Sequence, residues 1–143
     1  MTTRLNPYLS FRDSAREAME FYRTVFGGEL TLSTFGDSGM PVEDSESGNV
    51  MHGQLDTPSG FTLMGADTPS SMEVSTNGTV SLSGDDAAEL RGFWDALAEG
   101  GTLGVPLETA PWGDTFGMLT DRFGIGWMVN IAGSAEPERG ALA

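Results

Sequence analysis

Residues 14–30 read SAREAMEFYRTVFGGEL, and residues 86–103 read DAAELRGFWDALAEGGTL. Ala15, Glu17, Phe21, Tyr22 and Val25 of the first stretch are answered, 72 positions on, by Ala87, Glu89, Phe93, Trp94 and Leu97. One inserted residue later, Gly27, Gly28 and Leu30 are answered by Gly100, Gly101 and Leu103. Self-similarity at a fixed spacing marks a duplicated module, and it decides the fold. Within the first stretch Ala15, Ala18, Met19, Tyr22, Val25 and Phe26 make one apolar stripe at helical spacing, stopped by Gly27-Gly28. Ser14-x-x-Glu17 has capping-box spacing, with Asp13 adding negative charge at the helix start. In the second copy Asp86-x-x-Glu89 occupies that place, and Leu90, Phe93, Trp94, Leu97 and Ala98 supply the stripe.

Around each helix the pattern changes to strands. Leu5–Phe11 and Glu29–Phe35 read as strands flanking the first helix, and Val50–Asp56 with Phe61–Ala66 as a hairpin. Gly36–Gly48 is polar and acidic and reads as a mobile loop, and Asp67–Asn77 as the connection between modules. Thr79–Ser83 and Thr102–Val105 flank the second helix, Glu108–Asp114 is a loop, and Phe116–Thr120 with Ile125–Ile131 closes the chain as a hairpin. Gly60 and Gly124 end the two hairpin turns, where a positive φ costs glycine least. The expected fold is α+β: two tandem βαβββ modules, about residues 4–67 and 77–132, in a single domain 1–132. Residues 133–143 lack a core pattern and are expected to be a disordered tail.

Composition excludes several functions. The chain has 143 residues, 21 acidic against 7 basic, for a net charge of −14, and all its basic residues are arginines. Duplex nucleic acid and anionic membranes are therefore not expected partners. No run approaches a membrane span, and no secretory signal is visible. Without lysine there is no Schiff-base chemistry, and without cysteine no thiolate nucleophile or ligand. A cysteine-free chain suits a reducing compartment, and a cytoplasmic location is expected.

Asn6-Pro7-Tyr8-Leu9-Ser10-Phe11, Ala18-Met19-Glu20-Phe21-Tyr22, Met51-His52-Gly53-Gln54-Leu55 and the run from Pro111 to Asp121 resemble the vicinal oxygen chelate superfamily. More narrowly they are similar to its PhnB-like branch, in the glyoxalase, bleomycin-resistance and extradiol-dioxygenase group. The resemblance covers Leu5 to about Ile131. It implies mixed sheets curled into a half-barrel cleft, a homodimer, and in the enzymes a divalent metal held by His and Glu. Counting from strand and turn landmarks puts the family's metal-ligand positions at Asn6, at Thr79, on or next to Met128, and near His52 or Gln54. Only His52 is a good ligand, and it is the one histidine of the chain. No metal and no cofactor are therefore expected, with a divalent metal as the alternative. Asp56, Asp114 and Asp121 are the carboxylates that would have to complete a set, and two of them are expected to be tied up in turns.

The expected function is small-molecule binding in a cleft lined by Tyr8, Phe35, His52, Gln54, Trp112, Phe116 and Met118. His52 shares a strand face with Gln54 and Asp56. It reads either as a wall or dimer-contact residue or as a proton acceptor toward a ligand, and it is the one catalytic candidate. Trp112 reads as a lid or as an apolar plug. The aromatic content and acidic surface suit a cationic or polar-aromatic ligand. The alternative is a lyase, isomerase or dioxygenase of the same superfamily, using His52 as base or metal ligand with Gln54 or Asn6 polarising a carbonyl.

Overall fold

Both repeats fold alike. In the computed structural model, which describes residues 3–74 and 76–133, the chain divides into two units, Met1–Asn77 and Gly78–Ala143. The first unit runs β1 (Tyr8–Phe11), α1 (Ala15–Phe26), β2 (Glu29–Thr34), α2 (Phe35–Ser38), β3 (Val50–Asp56) and β4 (Thr62–Asp67). Its sheet has the order β1-β4-β3-β2, with β1 parallel to β4 and the other pairs antiparallel. The second unit runs β5 (Thr79–Gly84), α3 (Ala87–Ala98), β6 (Thr102–Thr109), β7 (Thr115–Thr120) and β8 (Gly126–Ile131), in the order β5-β8-β7-β6 with β5 parallel to β8. The expected α+β architecture of twin βαβββ modules with mixed sheets is what forms. The expected tail lies, from residue 134 on, outside the described residues.

The helical stripe predicted from Ala15 to Phe26 is the buried one: Ala15, Ala18, Met19, Tyr22 and Phe26 are all in the core. Burial of each large member stabilises the fold by about 1.5–3 kcal/mol. Gly53 and Gly65 are direct cross-strand partners beneath this helix. A Cβ on Gly65 would stand 3.1 Å from Met19 Sδ and from Phe11 Cε2, so the missing side chains let α1 sit close to the sheet. In the second unit Gly117 does the same beneath Trp94, whose Cη2 would lie 2.7 Å from an added Cβ. Gly60 and Gly124, with φ of +98° and +86°, close the two hairpin turns as predicted.

Four features depart from expectation, each for a physical reason. Strand β1 starts at Tyr8 rather than Leu5, because Pro7 has no N–H to give the ladder; its carbonyl still accepts from Met64 N–H. Strand β6 extends to Thr109, tolerating Pro106 because it is an edge strand with register irregularities between Leu103 and Glu108. Ser14 is the N-cap of α1 but its side chain makes no capping bond. The carboxylate of Asp67 supplies it instead, with Oδ1 accepting from Ser14 N–H and Ala15 N–H at 2.9 Å each and Oδ2 from Val50 N–H at 3.0 Å. Residues 36–48, expected as a mobile loop, are organised. Thr34 and Asp37 cap α2 reciprocally, and the buried Glu46 carboxylate accepts from Ser70 N–H and Ser70 Oγ at 2.9 and 3.0 Å.

Candidate functional site

Strand alternation divides each sheet into a face under its helix and a face turned away. In the first unit Gly53 and Leu55 face α1, which leaves His52, Gln54 and Asp56 of β3 on the other side. Register brings Ser33 and Thr31 of β2 beside His52 and Gln54, and Met64 and Thr62 of β4 beside Gln54 and Asp56. Tyr8 of β1 pairs with Met64 and completes that row.

These side chains form a continuous polar line. The Tyr8 hydroxyl lies 3.3 Å from His52 Nδ1, and the two rings are 5.8 Å apart at 38°. His52 Nε2 lies 3.4 Å from Gln54 Oε1. Gln54 Nε2 donates to both Asp56 oxygens at 3.3 Å, and Thr62 Oγ1 donates to Asp56 Oδ1 at 2.9 Å. The bonds of 3.3–3.4 Å are long and singly weak, so the order comes from their being linked. Partial burial pushes the Tyr8 hydroxyl above its ordinary phenol value, so it holds its proton at neutral pH. Beyond His52 no basic residue lies on the four strands of this sheet.

The second unit turns a different surface away from its helix. Gly117 and Leu119 face α3, leaving Phe116 and Met118 with Met128, Ser81 and Ser83 on the far side. Trp112 sits in the turn after β6 with its ring edge-on to Phe116, centroids 5.9 Å apart, and remains 41% exposed. That turn is held by Ala110 N–H donating to the Asp114 carbonyl and Gly113 N–H to the Ala110 carbonyl, at 2.7 and 2.9 Å. The fully buried Asp114 carboxylate accepts from Asn130 Nδ2 and Gly133 N–H at 3.1 and 2.8 Å.

The expected site residues thus fall into groups. Tyr8, His52 and Gln54 are in one hydrogen-bonded line, and Trp112, Phe116 and Met118 share one region of the second unit. Phe35 belongs to neither: it opens α2 instead of ending a strand and is buried at 3% exposure, because the Thr34 cap turns the chain there. The expected set omits Asp56, although alternation alone puts it on the His52 face. Asp114 and Asp121 are both engaged elsewhere, Asp114 by Asn130 and Gly133 and Asp121 in its turn, accepting from Phe123 N–H, Ile125 N–H and Trp127 Nε1–H at 2.8, 3.1 and 2.9 Å. Of the positions to which the resemblance assigns metal ligands, Thr79 offers a hydroxyl and Met128 a thioether. Among the described residues no group of three or more His, Cys, Asp or Glu side chains is placed to hold a metal ion.

Two four-stranded mixed sheets, each βαβββ with one long helix on one face, define the glyoxalase fold class. The family model for the Glyoxalase/Bleomycin resistance protein/Dioxygenase superfamily matches residues 4–129, and the chain belongs to that superfamily. It is similar to protein PA1353 from Pseudomonas aeruginosa, 38% identical with a TM-score of 0.82 over 93% of this chain and 100% of that one. The PhnB protein from Bacillus cereus is 25% identical with a TM-score of 0.70, covering 91% and 100% of the two chains. Protein YjdN of Escherichia coli K12 is 26% identical over 138 residues, 89% of this chain and 94% of that protein. The resemblance read from the strand and hairpin motifs is therefore correct. Among the described residues no helix is long and apolar enough to cross a membrane.

Proposed function

We propose that this chain is a metal-independent, small-molecule-binding member of its superfamily that works as a cytoplasmic homodimer. Its ligand is taken on the first unit's sheet face, by Tyr8, His52 and Gln54. The observation that carries this reading is the engagement of the only imidazole. Nδ1 faces the Tyr8 hydroxyl and Nε2 faces the Gln54 carbonyl oxygen, so a metal would have to displace one of these contacts to reach the imidazole. A catalytic zinc site draws on three protein ligands and an iron facial triad on two imidazoles and a carboxylate. This face offers one imidazole, an amide, a phenol and one carboxylate already holding two hydrogen-bond donors. The exposed ring of Trp112, edge-on to the part-buried Phe116 in the second unit, suits an aromatic ligand as well.

The test is elemental analysis of the purified protein, then thermal-shift screening with and without chelator. Ligand at a hundredfold its Kd raises stability by about 2.7 kcal/mol. The expected result is melting shifts with small aromatic compounds that chelator leaves intact. A stoichiometric transition metal, with chelation lowering the melting point, overturns the reading. Sedimentation or light scattering checks the dimer.

The Tyr8–His52 contact also favours a second reading, in which His52 is the base of a lyase or isomerase, passing its proton along this line. His52→Ala separates the two. Under the enzyme reading turnover collapses while binding survives; under the binding reading there is no turnover to lose.

A further inference from the structure

We infer that Asp56, acting through Gln54, fixes the direction of every hydrogen bond on this face and so makes the Tyr8 oxygen an acceptor that selects ligands bearing N–H or O–H. The inference rests on the reading of this face as the ligand site, and the geometry carries it in four steps. An ionised carboxylate only accepts, so Asp56 holds the Gln54 amide with its NH2 toward itself. The Thr62 hydroxyl at 2.9 Å and the register of Asp56 opposite Thr62 hold the carboxylate in place. The Gln54 oxygen is thereby turned toward His52, and Nε2 must carry the proton that bridges them. Nδ1 is then the acceptor, and the donor beside it is the Tyr8 hydroxyl.

The Tyr8 proton is thus directed inward. Half of the Tyr8 surface is exposed, and what its oxygen presents outward is lone pairs. A ligand amine, ammonium or hydroxyl satisfies them, whereas a carboxylate or phosphate meets lone pairs and finds no arginine on the strands of this sheet to neutralise it. Arg12, which follows β1, commits its guanidinium to the carbonyls of Pro69 and Met72 at 2.8 and 2.7 Å. The whole line is reversible in principle. If the Gln54 amide turned over, His52 would carry its proton on Nδ1, and Tyr8 would point its own proton outward. Asp56 is what forbids that state, which makes it a positioning residue rather than a contact.

The chain's single histidine makes the test direct, because the imidazole 15N spectrum then reports one site. Recorded at mildly alkaline pH, wild type should show the Nε2–H tautomer alone. Asp56→Ala frees the amide and should bring up an Nδ1–H population. The double variant D56A/Q54E puts an accept-only carboxylate at position 54 and should restore pure Nε2–H, a rescue that a merely structural role for Asp56 would not give. Backbone amide spectra verify that each variant is folded. Benzylamine, anisole and benzoate are then titrated against wild type, read by the His52 ring. Benzylamine should bind about tenfold or more tighter than either of the others, since an unmet buried hydrogen bond costs about that much. An Nδ1–H tautomer in wild type, no tautomer change in D56A, or benzoate binding as tightly as benzylamine overturns the inference. If no probe perturbs His52 while the tautomer pattern of wild type and the two variants holds, the directed line stands and the ligand-site reading of this face falls.

Discussion

Replacing Asp67 by alanine should destabilise the first unit far more than removing the residue that looks like the helix cap. One carboxylate receives three backbone N–H groups, from Ser14, Ala15 and Val50, at 2.9 to 3.0 Å. Two of those donors open α1 and the third opens β3, so Asp67 at the end of β4 joins three elements. Asp67 is 5% exposed, and Ala15 and Val50 have no exposed surface. Each buried N–H left without a partner costs about 1–3 kcal/mol, and the lost charge at the helix N-terminus adds about 0.3–1 kcal/mol. Water entering the truncated site recovers part of this for Ser14, which is only half-buried. The expected net loss is about 3–5 kcal/mol, a large share of the roughly 5–15 kcal/mol that holds a domain folded. Ser14→Ala, by contrast, removes a hydroxyl that caps nothing and should cost under about 0.5 kcal/mol. Urea titrations give both numbers, and amide exchange at Ala18 and Met19 localises the effect to the start of α1. A D67A loss below about 1 kcal/mol, or an S14A loss exceeding it, would refute the assignment of the cap to Asp67.

Other outcomes follow from the same geometry. Gly117→Ala forces Trp94 or the neighbouring strand to move, since the new Cβ meets Cη2 at 2.7 Å, and should cost about 1–3 kcal/mol in a urea titration. Asp121→Ala strands the buried Trp127 indole N–H and the N–H of Ile125, and should lower stability by about 2–4 kcal/mol, with Trp127 fluorescence reporting looser packing. The ultraviolet titration of Tyr8, isolated in a Tyr22→Phe background, should run above the ordinary phenol value of about 10. Because the folded value is raised, the associated stability is complete below the unfolded value and is lost as pH rises through the folded one. Denaturation series on either side of that range check the sign.

The sequence is most legible where a residue's role is set by its own chain neighbours. The helical stripe of α1, the Asp86 cap with its 3.1 Å bond to Glu89 N–H, and the turn glycines at positions 60 and 124 depend on local spacing and can be read directly. The true cap of α1 is not legible, because Asp67 lies more than fifty positions from Ser14 and only β4's pairing with β1 brings it there. Ser14-x-x-Glu17 obeys the local rule, and a tertiary carboxylate overrides it. Thr34-x-x-Asp37 obeys a similar rule, but it is masked by the acidic stretch it opens, and this also misplaces Phe35 on a strand. At the candidate site, alternation gives the shared face of His52, Gln54 and Asp56. It does not give the partnership with Tyr8, which arises from a parallel pairing between β1 and β4.

The repeat itself separates what holds the modules together from what distinguishes them. Counted back from the turn glycines, Gly53 and Leu55 of β3 occupy the places of Gly117 and Leu119 of β7, and all four face a helix. On that side the two copies are interchangeable in kind: small residues under a large one, Met19 in the first and Trp94 in the second. On the opposite side Met64 and Met128 still correspond, but along the polar line the equivalence breaks. His52, Gln54 and Asp56 correspond to Phe116, Met118 and Thr120, and the register that sets Tyr8 beside Met64 sets Ser81 beside Met128. Asp56 could solvate freely as a lone surface carboxylate; instead it is linked through Gln54 to an imidazole and a half-exposed phenol. A polar line of Tyr8, His52, Gln54 and Asp56, where the second copy carries Ser81, Phe116, Met118 and Thr120, is the chemical difference between the copies that supports the proposed ligand site on this face.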